Sequence, residues 1–238
     1  MIPHSIGGGT GSGLGSYIVN ILGEYYQDIF KFTLNVFPSK DDNIITSPYN
    51  SILSLNHLIN NVDFVLAVDN EFLIETVNNV KSQNINTLKN IFGKKENDEG
   101  NNKYKKQYDE MNSIIAHLLS SLTCSMRFEG TLDVDINDIT MNLVPFPRQH
   151  FIMSSLSPLY HVLDQKLEPR RTEQIFDDVF NSDFQLIKCD NFSQGIYFAT
   201  ALIARGNLTV SDLMYNIEKK KNKINTVSWN HEGFKIGL

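Results

Sequence analysis

Cysteine is nearly absent. Cys124 and Cys189 are the two in 238 residues, far apart and outside any CxxC pair. That spacing excludes a disulfide framework and a thiolate zinc site, and it fits a reducing compartment such as the cytoplasm. Histidine is scattered as His4, His57, His117, His150, His161 and His231 without ligand spacing, so no metal site is expected from protein side chains. Positive charge is in deficit: 21 Lys and Arg stand against 27 Asp and Glu, a formal charge of -6. No long basic stretch is available to meet a polyanion, so neither nucleic acid nor an anionic membrane is expected as a partner. A polyphosphate ligand stays compatible, because a loop can bind it through backbone N–H groups. No apolar run approaches the ~20 residues of a membrane span, and the first residues lack the basic-then-apolar pattern of a signal peptide.

What the chain does have is a glycine cluster close to its start, Gly7-Gly8-Gly9-Thr10-Gly11-Ser12-Gly13. Glycines let the backbone bend and approach an anion closely, and a helix following them offers unpaired N–H groups and a positive dipole end. Thr10 and Ser12 add hydroxyl donors. Leu14, Tyr17, Ile18, Ile21 and Leu22 recur at helical spacing and predict a helix with one buried stripe. A flexible connector is the alternative reading of the glycines, but connectors rarely open into a periodic helix. Only six residues precede the cluster, so the strand that usually presents such a loop is expected to be missing.

The 41% hydrophobic content is ample for a core. Phe30, Phe32, Leu34 and Val36 alternate with Lys31, Thr33 and Asn35, as in a strand. Ser47-Pro48 reads as a helix start with Ser47 as cap, and Ile52, Leu55 and Ile59 mark its buried face. Val62 to Val68 is almost continuously apolar, as in a strand of a parallel sheet covered on both faces. Asp69-Asn70-Glu71 then opens another helix through about Val80. This order is α/β, and ligands in such sheets sit beyond the carboxyl ends of the strands. Lys94 to Gln107 is polar and low in complexity, a solvated insertion. Met111, Ile114, Ile115, Leu118, Leu119 and Leu122 predict a long amphipathic helix. A turn at Arg127–Gly130, a short helix within 133–143, and then strands near 149–154, 196–204 and 234–238 interleaved with two helices make a second, mixed α+β region. The expected division is 1–126 and 127–238.

These residues together resemble the tubulin family, whose signature is the GGGTGSG loop. Ser47-Pro48-Tyr49-Asn50 resembles the family's PYN helix start, Val68-Asp69-Asn70-Glu71 its IDNE segment, and Asn142-Leu143-Val144-Pro145-Phe146-Pro147-Arg148 its NLVPFPR segment. Within the family the epsilon branch is the nearest likeness, through His4-Ser5 before the loop, Ile45 to Ser51, Arg127-Phe128-Glu129-Gly130, Ala204-Arg205-Gly206-Asn207 and Val227 to Gly233. The resemblance implies a partial Rossmann-like nucleotide-binding domain with its core helix, followed by an intermediate domain. Set against the family's fold, the first part of the nucleotide-binding domain and the C-terminal helices are expected to be lacking.

The resemblance also implies roles. Gly8, Gly9, Thr10, Gly11 and Ser12 would hold the phosphates of GTP or GDP, with Mg2+ ligands expected in the part that is lacking. Asn70 and Asn112 fall where the family reads the guanine edge, and Tyr108 where a ring stacks on the base. Read without the family, Asn70 is a helix cap and the other two are surface positions. Where many tubulins carry a ribose-binding glutamate this chain has Ser47, and Asp42 and Asn43 are the nearest substitutes. Asp138 occupies the position from which alpha-type chains complete a neighbour's GTP hydrolysis, where a carboxylate can polarise the attacking water. Asp133, Asp135 and Asp138 are otherwise a helix N-terminal acidic cluster favoured by the dipole. The partners implied are other tubulin subunits and a microtubule or centriole, and the setting implied is the cytoskeleton, at the centriole or basal body.

Three competing readings follow. A conventional alpha- or beta-like microtubule subunit shares the same motifs, and a chain of this extent could be an interaction module that binds no nucleotide. A dinucleotide-dependent oxidoreductase would need GxGxxG after a strand and an acidic residue about 20 positions on. Consecutive glycines and Pro38-Ser39 at the next strand end disfavour it.

Overall fold

The computed structural model describes residues 1–39, 44–78, 102–159, 171–189, 195–221 and 224–238, with backbone alone over 102–108. The elements in chain order are β1 (Ile2–Ser5), a π-helical turn (Gly11–Gly15) running into α1 (Ser16–Tyr25), β2 (Phe32–Phe37), α2 (Ser47–Asn61), β3 (Phe64–Asp69) and α3 (70–78). There follow α4 (Asn102–Leu122), α5 (Ile136–Leu143), β4 (Phe151–Ile152), α6 (Thr172–Val179), β5 (Thr200–Ile203), α7 (Val210–Lys221) and β6 (Phe234–Gly237). Asp42 and Asn43 lie outside the described residues, as does the 94–101 part of the expected insertion. From Asn102 onward that segment is helical, within α4.

Four parallel strands form one sheet in the order β1-β2-β3-β4. The expectation that no strand precedes the glycine loop is overturned. Ile2–Ser5 pairs in parallel with Thr33–Val36, and four residues suffice because the neighbouring strand supplies the ladder. A second, two-stranded parallel sheet pairs Thr200–Ile203 with Phe234–Gly237. β4 belongs to the chain's second region yet hydrogen-bonds to β3, through Val65↔Phe151 and Leu66↔Ile152. The core that α5 joins also gathers Ala201 and Ile203 of β5, so the two regions share buried surface.

Period-two alternation assigns the faces of the four-stranded sheet. One face presents Phe32, Leu34, Phe64, Leu66 and Val68 to Leu73 and Val77 of α3, Met111 and Leu118 of α4 and Ile139 of α5. Its buried strand residues are apolar, with Phe32 and Phe64 edge to face at 5.1 Å. The other face lies under α1 and α2 and gathers Ile6, Val19, Leu58 and Val65, but also Thr33 and Asn35, both fully buried. The alternation expected of a strand is present, but Thr33 and Asn35 are buried because helices cover both sides of the sheet.

The helices on this second face turn small side chains inward. In α1 and the π turn, Ser12, Gly15, Ser16 and Val19 are buried, whereas Leu14, Tyr17 and Ile18 of the expected stripe are exposed. In α2, Ser47, Ser51, Ser54 and Leu58 are buried and Ile52 is exposed. The reason is close approach. The Ser16 hydroxyl donates to Ser54 Oγ at 3.1 Å, Asn61 Nδ2 donates to Asn20 Oδ1 at 3.2 Å, and a Cβ added to Gly23 would lie 3.0 Å from Asn61 Oδ1. Bulky apolar residues would hold the two helices apart.

Candidate functional site

Parallel strands bring their carboxyl ends to one edge. The glycine loop leaves β1 there, Pro38-Ser39 follows β2, and Asn70 follows β3, so the structure places Gly8–Ser12 and Asn70 on one edge of the sheet. Ile6 N–H donates to the Val36 carbonyl at 3.2 Å, extending the ladder one residue into the loop.

Helical conformation begins at Gly9, and the first helical bond runs from Ser12 N–H to the Gly8 carbonyl at 3.3 Å. The amides of Gly9, Thr10 and Gly11 are therefore first-turn donors without an intrahelical acceptor. Gly9 and Thr10 are exposed, and a Cβ built on Gly8, Gly9 or Gly13 meets nothing within 4 Å. This open, donor-rich turn fits a phosphate. Gly11 serves differently: its Cβ would fall 2.0 Å from the Ser5 carbonyl oxygen, so glycine there lets the turn rest on the end of β1. Ser12 is buried, and its hydroxyl donates to the Gly8 carbonyl and, at 3.3 Å, to that of Gly9. Its hydroxyl shapes the loop, while Thr10 presents the exposed one.

Beneath the π turn, the His4 ring supports Gly15, whose added Cβ would lie 3.1 Å from His4 Cδ2. Asn35 Nδ2 donates to His4 Nε2 at 2.9 Å, and His4 Nδ1 faces the Ile2 carbonyl at 3.4 Å. Burial holds the His4 imidazole below its ordinary value, with the Ile2 carbonyl opposing. The ring is thus favoured neutral, as an acceptor for Asn35. The sequence reading named both residues but gave neither a role beneath the loop, although a polar Asn in mid-strand two residues from Thr33 was the available signal.

At β3, Asp69 Oδ1 accepts from Glu71 N–H at 2.9 Å and caps α3, so the capping role foreseen for Asn70 belongs to Asp69. Burial raises the Asp69 carboxyl above its ordinary value, and the Glu71 amide partly offsets it. Asn70 keeps its amide free of any hydrogen bond within the described residues. Asn112 is exposed on α4, beside buried Met111, and no hydrogen bond joins it to Asn70. For Tyr108 the backbone lies in α4. Ser47 is the first residue of α2 after Thr46, and its buried hydroxyl has no partner among the described residues.

Asp138 lies in the first turn of α5. Its Oδ2 accepts from Asp135 N–H at 3.4 Å, while Asp133 Oδ1 accepts from Gly130 N–H at 2.9 Å. The acidic cluster therefore shapes the turn and caps the helix. Asp138 is half-buried, with Met141 exposed one turn on. Nearby in sequence, Phe146 begins an aromatic row that the sequence reading missed: Phe146–Phe198 at 6.4 Å and Phe198–Trp229 at 6.3 Å, all three exposed. Among the described residues, no group of three or more His, Cys, Asp or Glu is placed to hold a metal ion, and no helix is long and apolar enough to cross a membrane.

Residues 1–78 match the family model described as "Tubulin/FtsZ family, GTPase domain", and residues 147–238 match "Tubulin C-terminal domain". Over its whole length the chain is 43% identical to the Tubulin epsilon chain of Homo sapiens and 44% identical to that of Mus musculus, covering 51% of each. It is 33% identical to the Tubulin alpha-1 chain of Saccharomyces cerevisiae, covering 49% of it. The chain spans about half the length of the curated relatives it matches. Two family models in the family's order, joined to full-length likeness and a glycine loop set on a parallel sheet, establish that this chain belongs to the tubulin family.

Proposed function

We propose that this chain supplies the phosphate-holding half of a GTP site in an epsilon-tubulin-like cytoskeletal subunit, and the surface that completes a neighbour's site. The observation that carries the reading is the open first turn at Gly8–Gly11, whose unpaired amides stand at the carboxyl edge of the sheet. GTP supplies the anhydride whose hydrolysis drives assembly cycles in such a subunit. The chain's part is to bind: Gly9, Thr10 and Gly11 donate to phosphate oxygens, and Asn70, Asn112 and Tyr108 recognise the base. The described residues fit a phosphate but hold no cluster suited to Mg2+, so no step is assigned to a metal.

Asp138 would act on the neighbour. Its bond to Asp135 N–H is long and uses one oxygen, which leaves the other to orient a water. The greater identity to epsilon than to alpha chains favours a role at the centriole or basal body over a conventional microtubule lattice. Equilibrium titration with GTP, guanosine and NAD tests the binding claim: GTP must bind, guanosine more weakly, and NAD not at all. Preference for NAD overturns it. In mixed assembly with partner tubulins, Asp138→Ala is expected to slow GTP turnover about 100-fold, the scale of one acid–base group, without changing the chain's own GTP affinity. Unchanged turnover removes Asp138 from the chemistry.

A further inference from the structure

The Gly7 carbonyl is held from outside the loop. Asn50 Nδ2 donates to it at 3.2 Å, across 43 residues of sequence. The same amide donates to Thr46 Oγ1 at 3.3 Å, and Asn50 N–H donates to the Thr46 carbonyl at 3.0 Å. The Asn50 side chain is therefore fixed on the first turn of α2. Gly7 is pinned in turn, because a Cβ there would lie 2.8 Å from Ser47 Oγ and 3.1 Å from Pro38 Cβ.

A trans peptide is planar, with its C=O and the following N–H pointing in opposite directions. Tying the Gly7 carbonyl to α2 therefore turns the Gly8 N–H away from α2. A Gly-Gly peptide is free to rotate, since neither residue has a Cβ to penalise the alternative. Rotated, it would present a carbonyl oxygen where a phosphate oxygen must sit, and the two would repel.

We propose that Asn50 is a positioning residue for anion binding, one that fixes the Gly7–Gly8 peptide so that the loop offers the Gly8 N–H, not the Gly7 oxygen, to a phosphate. This rests on reading the loop as the phosphate site of GTP. Ser47 buttresses the same peptide through packing, and its buried hydroxyl makes no bond among the described residues. A charged acceptor gains more from a correctly aimed amide than a neutral one does, so the effect of losing Asn50 falls on the phosphates and spares the base.

The test compares wild type, Asn50→Leu, which matches the shape and lacks the donor, and Asn50→His, whose neutral Nδ1–H can replace it at pH 8. Affinities for GTP and for guanosine are measured on the full chain by titration, with thermal midpoints alongside. Asn50→Leu is expected to weaken GTP about ten-fold, the scale of one charge-assisted hydrogen bond, and to leave guanosine unchanged. Asn50→His is expected to recover most of the loss. Should the leucine variant not fold, Asn50→Ser, too short to reach Gly7, takes its place. Unchanged GTP affinity, or equal weakening of GTP and guanosine, overturns the positioning role while leaving the GTP reading intact. A wild-type chain that binds no GTP overturns both.

Discussion

The two faces of the four-stranded sheet are built on different principles. Under α3, α4 and α5 the buried strand residues are apolar, and Phe64, Leu66, Val68, Leu73 and Met111 are at most 2% exposed, with Thr76 of α3 the buried polar exception. Under α1 and α2 it buries Thr33, Asn35, Ser16, Ser54 and His150 along with its aliphatic residues. The first face gains stability from area removed from water. The second gives up some of that gain, because Thr33 Oγ1 and Asn35 Oδ1 find no partner among the described residues. In return it lets helices approach closely and supports the π turn that follows the glycine loop, through Asn35, His4 and Gly15. The lesson is that the face carrying the site is the one with the weaker core.

Truncation breaks the comparison most sharply. Leu66→Ala on the apolar face is expected to cost about 3 kcal/mol, transfer and cavity terms together, measured as a shift of the denaturant midpoint at constant slope. Ser16→Ala on the polar face removes the bond to Ser54 and strands its hydroxyl, for about 1 kcal/mol in the same assay. A smaller effect comes from pH. Burial lowers both His4 and His150 below their ordinary value of 6.5. Below 6.5 the unfolded chain therefore binds protons that the folded chain resists. Stability is fully present above that pH and is lost as pH falls through the folded values. His4→Gln should flatten part of this slope in acid-titrated unfolding curves, and no substitution on the apolar face should. Smallest of all, Thr33→Val replaces an unpartnered hydroxyl with a methyl and should leave stability unchanged or raised by up to about 1 kcal/mol. A loss comparable to that of Leu66→Ala would show that the two faces do not differ as described.

Much of this architecture was legible in the residues. The run Val62–Val68, apolar except for Asp63, announced β3 and its covered faces, and the 3.6-residue pattern from Met111 announced α4. β1 was not legible, because Ile2-Pro3-His4-Ser5 has neither length nor clean alternation; its pairing with β2 makes it a strand. The inward faces of α1 and α2 were misread for a related reason. Hydrophobic periodicity ranks Leu14, Tyr17 and Ile52 above glycine and serine, whereas close helix–helix approach selects the small residues. At the site, the glycine loop stood out because an anion cradle requires that composition locally. The supports of the loop did not, since Asn50 and Asn35 act on it across tens of residues and only the fold brings them there.

The amides of the loop itself give the most direct test. In a 1H–15N spectrum of the chain titrated with GTP and, separately, with guanosine, the Gly8, Gly9, Thr10 and Gly11 resonances should move with GTP and stay still with guanosine. Loop amides that stay unmoved at millimolar GTP, or that move equally with guanosine, would contradict the phosphate cradle on which the account rests.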